Sequence, residues 1–193
     1  LDYIYGSVLP RSLFSIESDF VEQNPTLVRP YQEGMMLCED EIKLFTNDKA
    51  GKAGRASWYI ADQSVIKTGT DYLHRWKVVV SSANAGGQKR SNQIAVLDNH
   101  SVFGRSRVAL KTFETEQEAR NFYAYCQTDF IRYAFLLTDE ALTSLGKLVP
   151  DLLDYTNDNG IIDYAQDVNT QLYRLFGIDE EMQAIIKQTL SER

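Results

Sequence analysis

Two cysteines in 193 residues, Cys38 and Cys126, are too few for a disulfide scaffold. They fit a reduced, cytoplasmic protein. The two histidines, His74 and His100, have no Cys or His partner at a metal-ligand spacing, which argues against zinc and against a Cys–His nucleophile. No apolar run approaches the roughly 20 residues of a membrane span, so no membrane role is expected. Gly86-Gly87 lacks the Gly-x-x-x-x-Gly-Lys-Ser/Thr spacing of a phosphate loop. The start, Leu1-Asp2-Tyr3-Ile4-Tyr5, lacks both an initiator Met and the basic region of a signal peptide, which predicts a fragment of a longer protein.

Charge is present but segregated. Residues 43–111 hold 12 Lys and Arg against 4 Asp and Glu, a net of +8. Residues 1–42 carry a net of −6 and residues 112–193 a net of −9, so the whole chain is acidic at −7. Steering of a ligand depends on the local field rather than the total, and the middle third suits a polyanion.

The hydrophobic content of 44% is that of an ordinary globular domain. Residues 1–34 read as irregular, with three of the four prolines, and residues 35–46 hold short apolar runs that suit a strand. A loop over 47–56 follows, then a short strand at Trp58-Tyr59-Ile60 and a helix over 62–75 interrupted near Gly69. Trp76-Lys77-Val78-Val79-Val80 is the strongest strand signal, Ile94-Ala95-Val96-Leu97 another, and Arg107-Val108-Ala109-Leu110-Lys111 a third. In that last strand, alternation puts Arg107, Ala109 and Lys111 on one face, a basic surface over an apolar one. From Thr115 the pattern is helical. Thr115-Glu116-Gln117-Glu118 has the form of a capping box, with Ala119, Phe122, Cys126 and Phe130 at helical spacing after it. A further helix opens at Thr138, residues 151–166 form an acidic loop, and helices over 169–176 and 179–190 close the chain. Gly177 sits where a helix C′ residue belongs. The expected fold is therefore α+β (mixed α/β): one domain over 1–193, with a basic strand-and-loop region at 43–111 and an acidic helical region at 115–193.

The polar loop over 81–93 is the first candidate for chemistry. Asn and Gln read adenine bidentately and Arg or Lys read guanine, so Asn84, Lys89, Arg90, Asn92 and Gln93 are candidates for base edges. Lys49, Lys52, Arg55, Lys67, Lys77, Arg105 and Arg107 are candidates for phosphates, which position a domain without specifying sequence. The competing interpretation of each is a solvated loop or an ordinary amphipathic strand. Trp58 and Trp76 read as core or anchoring residues. Asp40, Glu41 and Lys43 together match a fragment of a metal-dependent nuclease site, although such a triplet arises often by chance.

Several segments, in order, resemble a known family. They are Trp76 to Val80 with Ala83-Asn84-Ala85-Gly86-Gly87; Val102-Phe103-Gly104-Arg105-Ser106 leading into Thr112 to Ala119; Tyr125-x-x-Thr128-Asp129-Phe130-Ile131-Arg132; Val149-Pro150-Asp151; Ile161-Ile162-Asp163-Tyr164; Gln171 to Gly177; and Asp179-Glu180-Glu181. Over about residues 57–190 these resemble the C-terminal target-recognition part of bacterial restriction-modification proteins. Those proteins join an adenine-specific DNA methyltransferase to a recognition domain, sometimes with a nuclease. The family's Asn-Pro-Pro-Tyr-type methyltransferase motif is missing, since no proline is followed by another. Nor is there a glycine-rich turn for S-adenosylmethionine.

The resemblance implies a non-catalytic recognition domain with no cofactor of its own. Its partners would be double-stranded DNA and a linked methyltransferase. S-adenosylmethionine would serve that methyltransferase, and magnesium a nuclease where the parent carries one. Two other readings stay open: a protein-interaction module whose acidic helices dock on a partner subunit, and a metal-dependent nuclease domain.

Overall fold

In the computed structural model, residues 1–81, 94–137 and 144–192 are described. The helix expected from Thr138 falls largely outside them. Two sheets and a helical half make an α+β fold. The first sheet has the order β1-β3-β2-β6, from β1 (Val28–Pro30), β2 (Glu41–Asn47), β3 (Ala56–Asp62) and β6 (Ser101–Phe103). The second has the order β5-β4-β7, from β4 (Trp76–Ser81), β5 (Ala95–Leu97) and β7 (Arg107–Phe113). β2 and β3 form a hairpin in which Glu41 faces Asp62 and Asn47 faces Ala56, while β6 runs parallel to β2. Pro30, which has no N–H to donate, sits on the edge strand β1.

Both faces of the second sheet are buried. Val78, Val80, Val108, Leu110 and Phe113 pack into a core with the helices, around Phe122, Tyr125 and Tyr155. Val79, Ala109 and Leu97 pack the other way, against Ile42, Leu44, Val102 and Phe14 of the first sheet and its N-terminal cover. The open basic face expected over 107–111 is therefore absent. A β-bulge adds to this: Ala109 faces Val79 but Lys111 faces Val78, leaving Leu110 as the extra residue. The slip turns Lys111 toward the helical core, away from the side that carries Arg107.

The segment expected as a helix over 62–75 is instead the end of β3 and two 3₁₀ turns, Gln63–Val65 and Thr70–Tyr72. Between them Gly69 adopts φ +74°, and a Cβ there would stand 2.4 Å from the Leu13 carbonyl oxygen, a position closed to other residues. Within 1–34 the structure places a 3₁₀ turn at Ile4–Ser7, the short helix α1 (Phe20–Gln23) and β1.

The helical half begins at α2 (Glu116–Gln127). The Thr115 hydroxyl accepts from the Glu118 N–H, as an N-cap should, and donates to the Glu118 carboxylate; the reciprocal bond of a full capping box, from the Thr115 N–H to Glu118, is replaced by this side-chain pair. The chain breaks at Thr128 rather than running on through Phe130. There the hydroxyl accepts from the Ile131 N–H and opens α3 (Asp129–Leu137). α4 (Val168–Leu175) is capped by Asp167 and ends at Gly177, φ +64°, as expected for a C′ glycine. α5 (Glu180–Ser191) is capped by Asp179. The acidic stretch between α3 and α4 is ordered by its own side chains: Asn159 Oδ1 accepts from the N–H groups of Ile161 and Ile162, and Asp154 caps Thr156.

Candidate nucleic-acid interface

Sheet topology gathers several loops at one end of the molecule. β2 runs up to the hairpin tip at residues 48–55, and β6, parallel to it, leaves its sheet at the same end. There the Gly104 N–H donates to the Phe45 carbonyl at 3.2 Å, and the chain turns into β7. β4 finishes opposite the start of β7, with Ser81 facing Arg107. Residues 82–93, with Asn84, Lys89, Arg90, Asn92 and Gln93, follow Ser81 in sequence. These five base-edge candidates lie outside the described residues.

The hairpin tip is braced internally. The Asp48 N–H donates to the Arg55 carbonyl at 2.9 Å, and the Asp48 carboxylate accepts from the Arg55 N–H at 2.8 Å. The Ala50 N–H reaches Glu22 at 3.1 Å. Lys49, Lys52 and Arg55 are exposed on this frame. Among the described residues the Arg55 guanidinium bonds only the carbonyls of Lys52 and Gly54, in its own turn. Long cationic side chains on a braced turn suit phosphate contact, because the backbone need not be ordered on binding.

The other phosphate candidates are placed differently. Arg105 pairs with Glu17 at 3.4 Å and donates its N–H to the Ile16 carbonyl. Lys67 is exposed but lies past the far end of β3, its ammonium on the Ser64 carbonyl at 3.0 Å. Lys77 is wholly buried between the two sheets, donating to the carbonyls of Leu73 and Arg75 at 2.8 and 2.7 Å and lying over the Phe14 ring. It is therefore withdrawn from phosphates. Burial pushes its pKa down to about 7. Arg107 is half-buried, its guanidinium over the Phe45 ring at 4.8 Å.

Folding changes the meaning of the basic middle third. Of its ten described Lys and Arg, four find carboxylates: Lys43 on Asp98, Arg75 on Glu114, Arg105 on Glu17 and Lys111 on Asp151. Glu17, Glu114 and Asp151 come from the acidic flanks, so part of the segregation in sequence is charge complementarity within the fold. With Lys77 buried, five remain without a carboxylate partner among the described residues: Lys49, Lys52, Arg55, Lys67 and Arg107. Four of those five lie at the hairpin end. A cleft of about 510 Å³ near the other end of β7 holds Arg75 and Lys111, both already answered by acids.

Sequence reasoning missed a ladder of rings beside the hairpin. Phe45 stacks on Trp58 with centroids 4.8 Å apart and an interplanar angle of 26°, and Tyr31 meets Trp58 edge-on at 6.3 Å. Lys43 lies over both Tyr31 and Trp58, and Arg107 over Phe45. A signal for the Phe45–Trp58 pair does exist: the two residues are equidistant from the tip of one hairpin, so any symmetric register sets them face to face.

Asp40, Glu41 and Lys43 do not form one cluster. Both arms of Arg29 grip the Glu41 carboxylate, which also accepts from the Cys38 N–H. The Arg29 bond, with the Cys38 N–H second, holds the Glu41 carboxyl down at about 2. Lys43 is taken by Asp98. Among the described residues no three His, Cys, Asp or Glu side chains are grouped to hold a metal ion. No helix among them is long and apolar enough to cross a membrane. Comparison with known protein families, with curated proteins and with solved structures gave no match.

Proposed function

We propose that this chain is a recognition domain for double-stranded DNA that positions a linked adenine methyltransferase, as its resemblance to restriction-modification proteins implies. The observation that carries the reading is the set of cations at one end of the sheets. Among the described residues Lys49, Lys52, Arg55 and Arg107 lack carboxylate partners there, whereas acids, three of four from the flanks, neutralise four other cations of the middle third. Unanswered cations around strand ends supply the counterion-releasing contacts that duplex binding needs.

The test is binding of the chain to random duplex DNA across a salt titration. Three or four phosphate contacts give a slope of about −3 to −4 in log K against log salt. Alanine at Lys49, Lys52 and Arg55 together lowers its magnitude by about 2 to 3. Absence of binding at low salt, or an unchanged slope in the triple variant, defeats the reading.

One feature favours a protein-docking role beside it. α5 buries only Ile186 and leaves Met182 and Ile185 exposed. If that role were the main one, Met182→Lys with Ile185→Lys would abolish capture of the linked methyltransferase, and the chain would show no salt-dependent DNA affinity.

A further inference from the structure

The chain has two histidines, far apart in sequence, and the fold brings them together. Their ring centroids lie 5.9 Å apart with an interplanar angle of 74°. His74 sits in the turn before β4, a strand of the second sheet, and His100 in the turn before β6, a strand of the first. Lys77 faces Leu97 across β4 and β5, so the pair lies at the opposite end of β4 from Ser81. Both histidines are exposed. The frame beneath them is fixed from inside. The buried Lys77 ammonium bonds the carbonyls of Leu73 and Arg75, on either side of His74, and reaches the Asp98 carbonyl at 3.5 Å in the turn of His100. The His100 N–H donates to the Asp98 carboxylate at 2.9 Å, which holds that turn. The His100 ring is oriented as well. Its Nδ1 lies 3.1 Å from Asn99 Oδ1, an acceptor only, so in the neutral ring Nδ1 carries the proton and Nε2 presents a lone pair. The cations on the adjoining elements are already answered, Lys43 by Asp98 and Arg75 by Glu114.

A transition ion lies about 2.1 Å from each imidazole nitrogen that binds it, so two rings sharing one ion have centroids roughly 5–6 Å apart. The observed spacing falls in that range. Imidazole nitrogen suits Zn²⁺, Ni²⁺ and Cu²⁺, whereas Mg²⁺ and Ca²⁺ take oxygen. We infer that His74 and His100 together bind one divalent transition ion, with water filling its other positions. Two protein ligands rather than three make this a site open to exchange. An ion there clips the turn before β4 to the turn before β6, and so one sheet to the other from outside, where Lys77 ties them from within. Spacing along the chain hides such a site, because its two ligands come from turns of different sheets. The inference does not depend on the DNA-recognition reading.

The experiment titrates the full chain, stripped of metal by a chelator, with zinc, nickel or copper(II) chloride and follows the heat of binding and thermal unfolding. The wild type binds one ion, Cu²⁺ most tightly, and its unfolding midpoint rises with metal concentration. Magnesium chloride gives no such rise. His74→Ala and His100→Ala each weaken binding by about 10-fold or more and remove the rise. Asn99→Ala, which frees the His100 ring, weakens binding by about 10-fold. Cys38→Ser, which removes the exposed thiol, leaves binding unchanged. Midpoints measured without metal separate a lost site from a lost fold. His74→Gln and His100→Gln, which keep polar side chains on the same turns, repeat the test should an alanine variant unfold. If the double variant His74→Ala with His100→Ala binds these ions as tightly as the wild type, the inference is overturned. It is overturned equally if only one of the two histidines matters, since a single imidazole then acts alone.

Discussion

Lys77 and Lys111 sit on neighbouring strands of one sheet and end in its two opposite cores. Lys111 points into the helical side, where Asp151 meets it at 2.7 Å and Tyr155 lies alongside. Lys77 points between the sheets, where it meets carbonyl oxygens, the two nearest in the turn just before its own strand. The contrast is one of range. The partner of Lys111 comes from 40 residues further on, so the pair forms only when the acidic loop docks. The two nearest acceptors for Lys77 lie two and four residues back, so its site is made with the turn. A buried amine is thus held in two ways here: by an opposite charge brought in through tertiary structure, and by backbone dipoles close at hand.

The largest expected effect breaks the first arrangement. Asp151→Asn leaves Lys111 buried without its counter-charge and weakens the bonds that Asp151 Oδ1 accepts from the Tyr155 hydroxyl and the Leu153 N–H. The cost is about 3–5 kcal/mol by urea denaturation. The matched double variant Lys111→Met with Asp151→Leu recovers most of it, because an apolar pair of similar volume needs no desolvated charge. A double variant as unstable as Asp151→Asn would show that the carboxylate acts through Tyr155 and Leu153 rather than through Lys111.

Next in size is a pH effect that belongs to Lys77 alone. Its folded pKa, about 7, lies below the unfolded value near 10.5. Between those values the unfolded chain holds a proton that the folded chain lacks. Stability therefore rises with pH across that window, by at most about 1.4 kcal/mol per unit, and the contribution is lost as pH falls toward 7. Lys77→Met should flatten this rise in urea titrations from pH 7 to 10. A rise that persists unchanged assigns the proton elsewhere.

Two smaller effects calibrate the comparison. Thr115→Ala removes the α2 cap and costs about 1 kcal/mol in thermal unfolding. Glu17→Gln breaks the half-exposed pair with Arg105 and costs between 0 and about 1 kcal/mol. If Glu17→Gln cost as much as Asp151→Asn, burial would not be what separates these charges.

Much of the fold was legible in local pattern. The valine run within 76–80, the alternation over 107–111, the loop over 47–56 and the caps at Thr115 and Gly177 are each decided within a few residues. What escaped depended on distant pairing. The bulge that turns Lys111 is visible only in the register of β7 against β4, and strict alternation put it on the wrong face. Lys77 read as a surface cation because nothing local says that a second sheet will cover its strand. The helix expected over 62–75 failed because Gly69, in a left-handed conformation against Leu13, stops any propagation. The candidate interface was half legible. The hairpin cations stand where a loop would put them. The pairing of Arg105 with Glu17 and the seating of Arg107 on Phe45 needed the tertiary structure.

Residues 2–5 are stitched to residues 146–151, far along the chain. Ile4 is fully buried in the helical core, its N–H on the Val149 carbonyl, and the Asp151 N–H returns to the Asp2 carbonyl. During synthesis at about 5–20 residues per second, Ile4 waits roughly 7–30 s for the carbonyl that satisfies it. Until then the N-terminal segment leaves the ribosome with an apolar side chain and a row of backbone donors uncovered. Folding of this domain is therefore bound to the completion of its second half, and the interval before that is when a nascent chain most needs a chaperone.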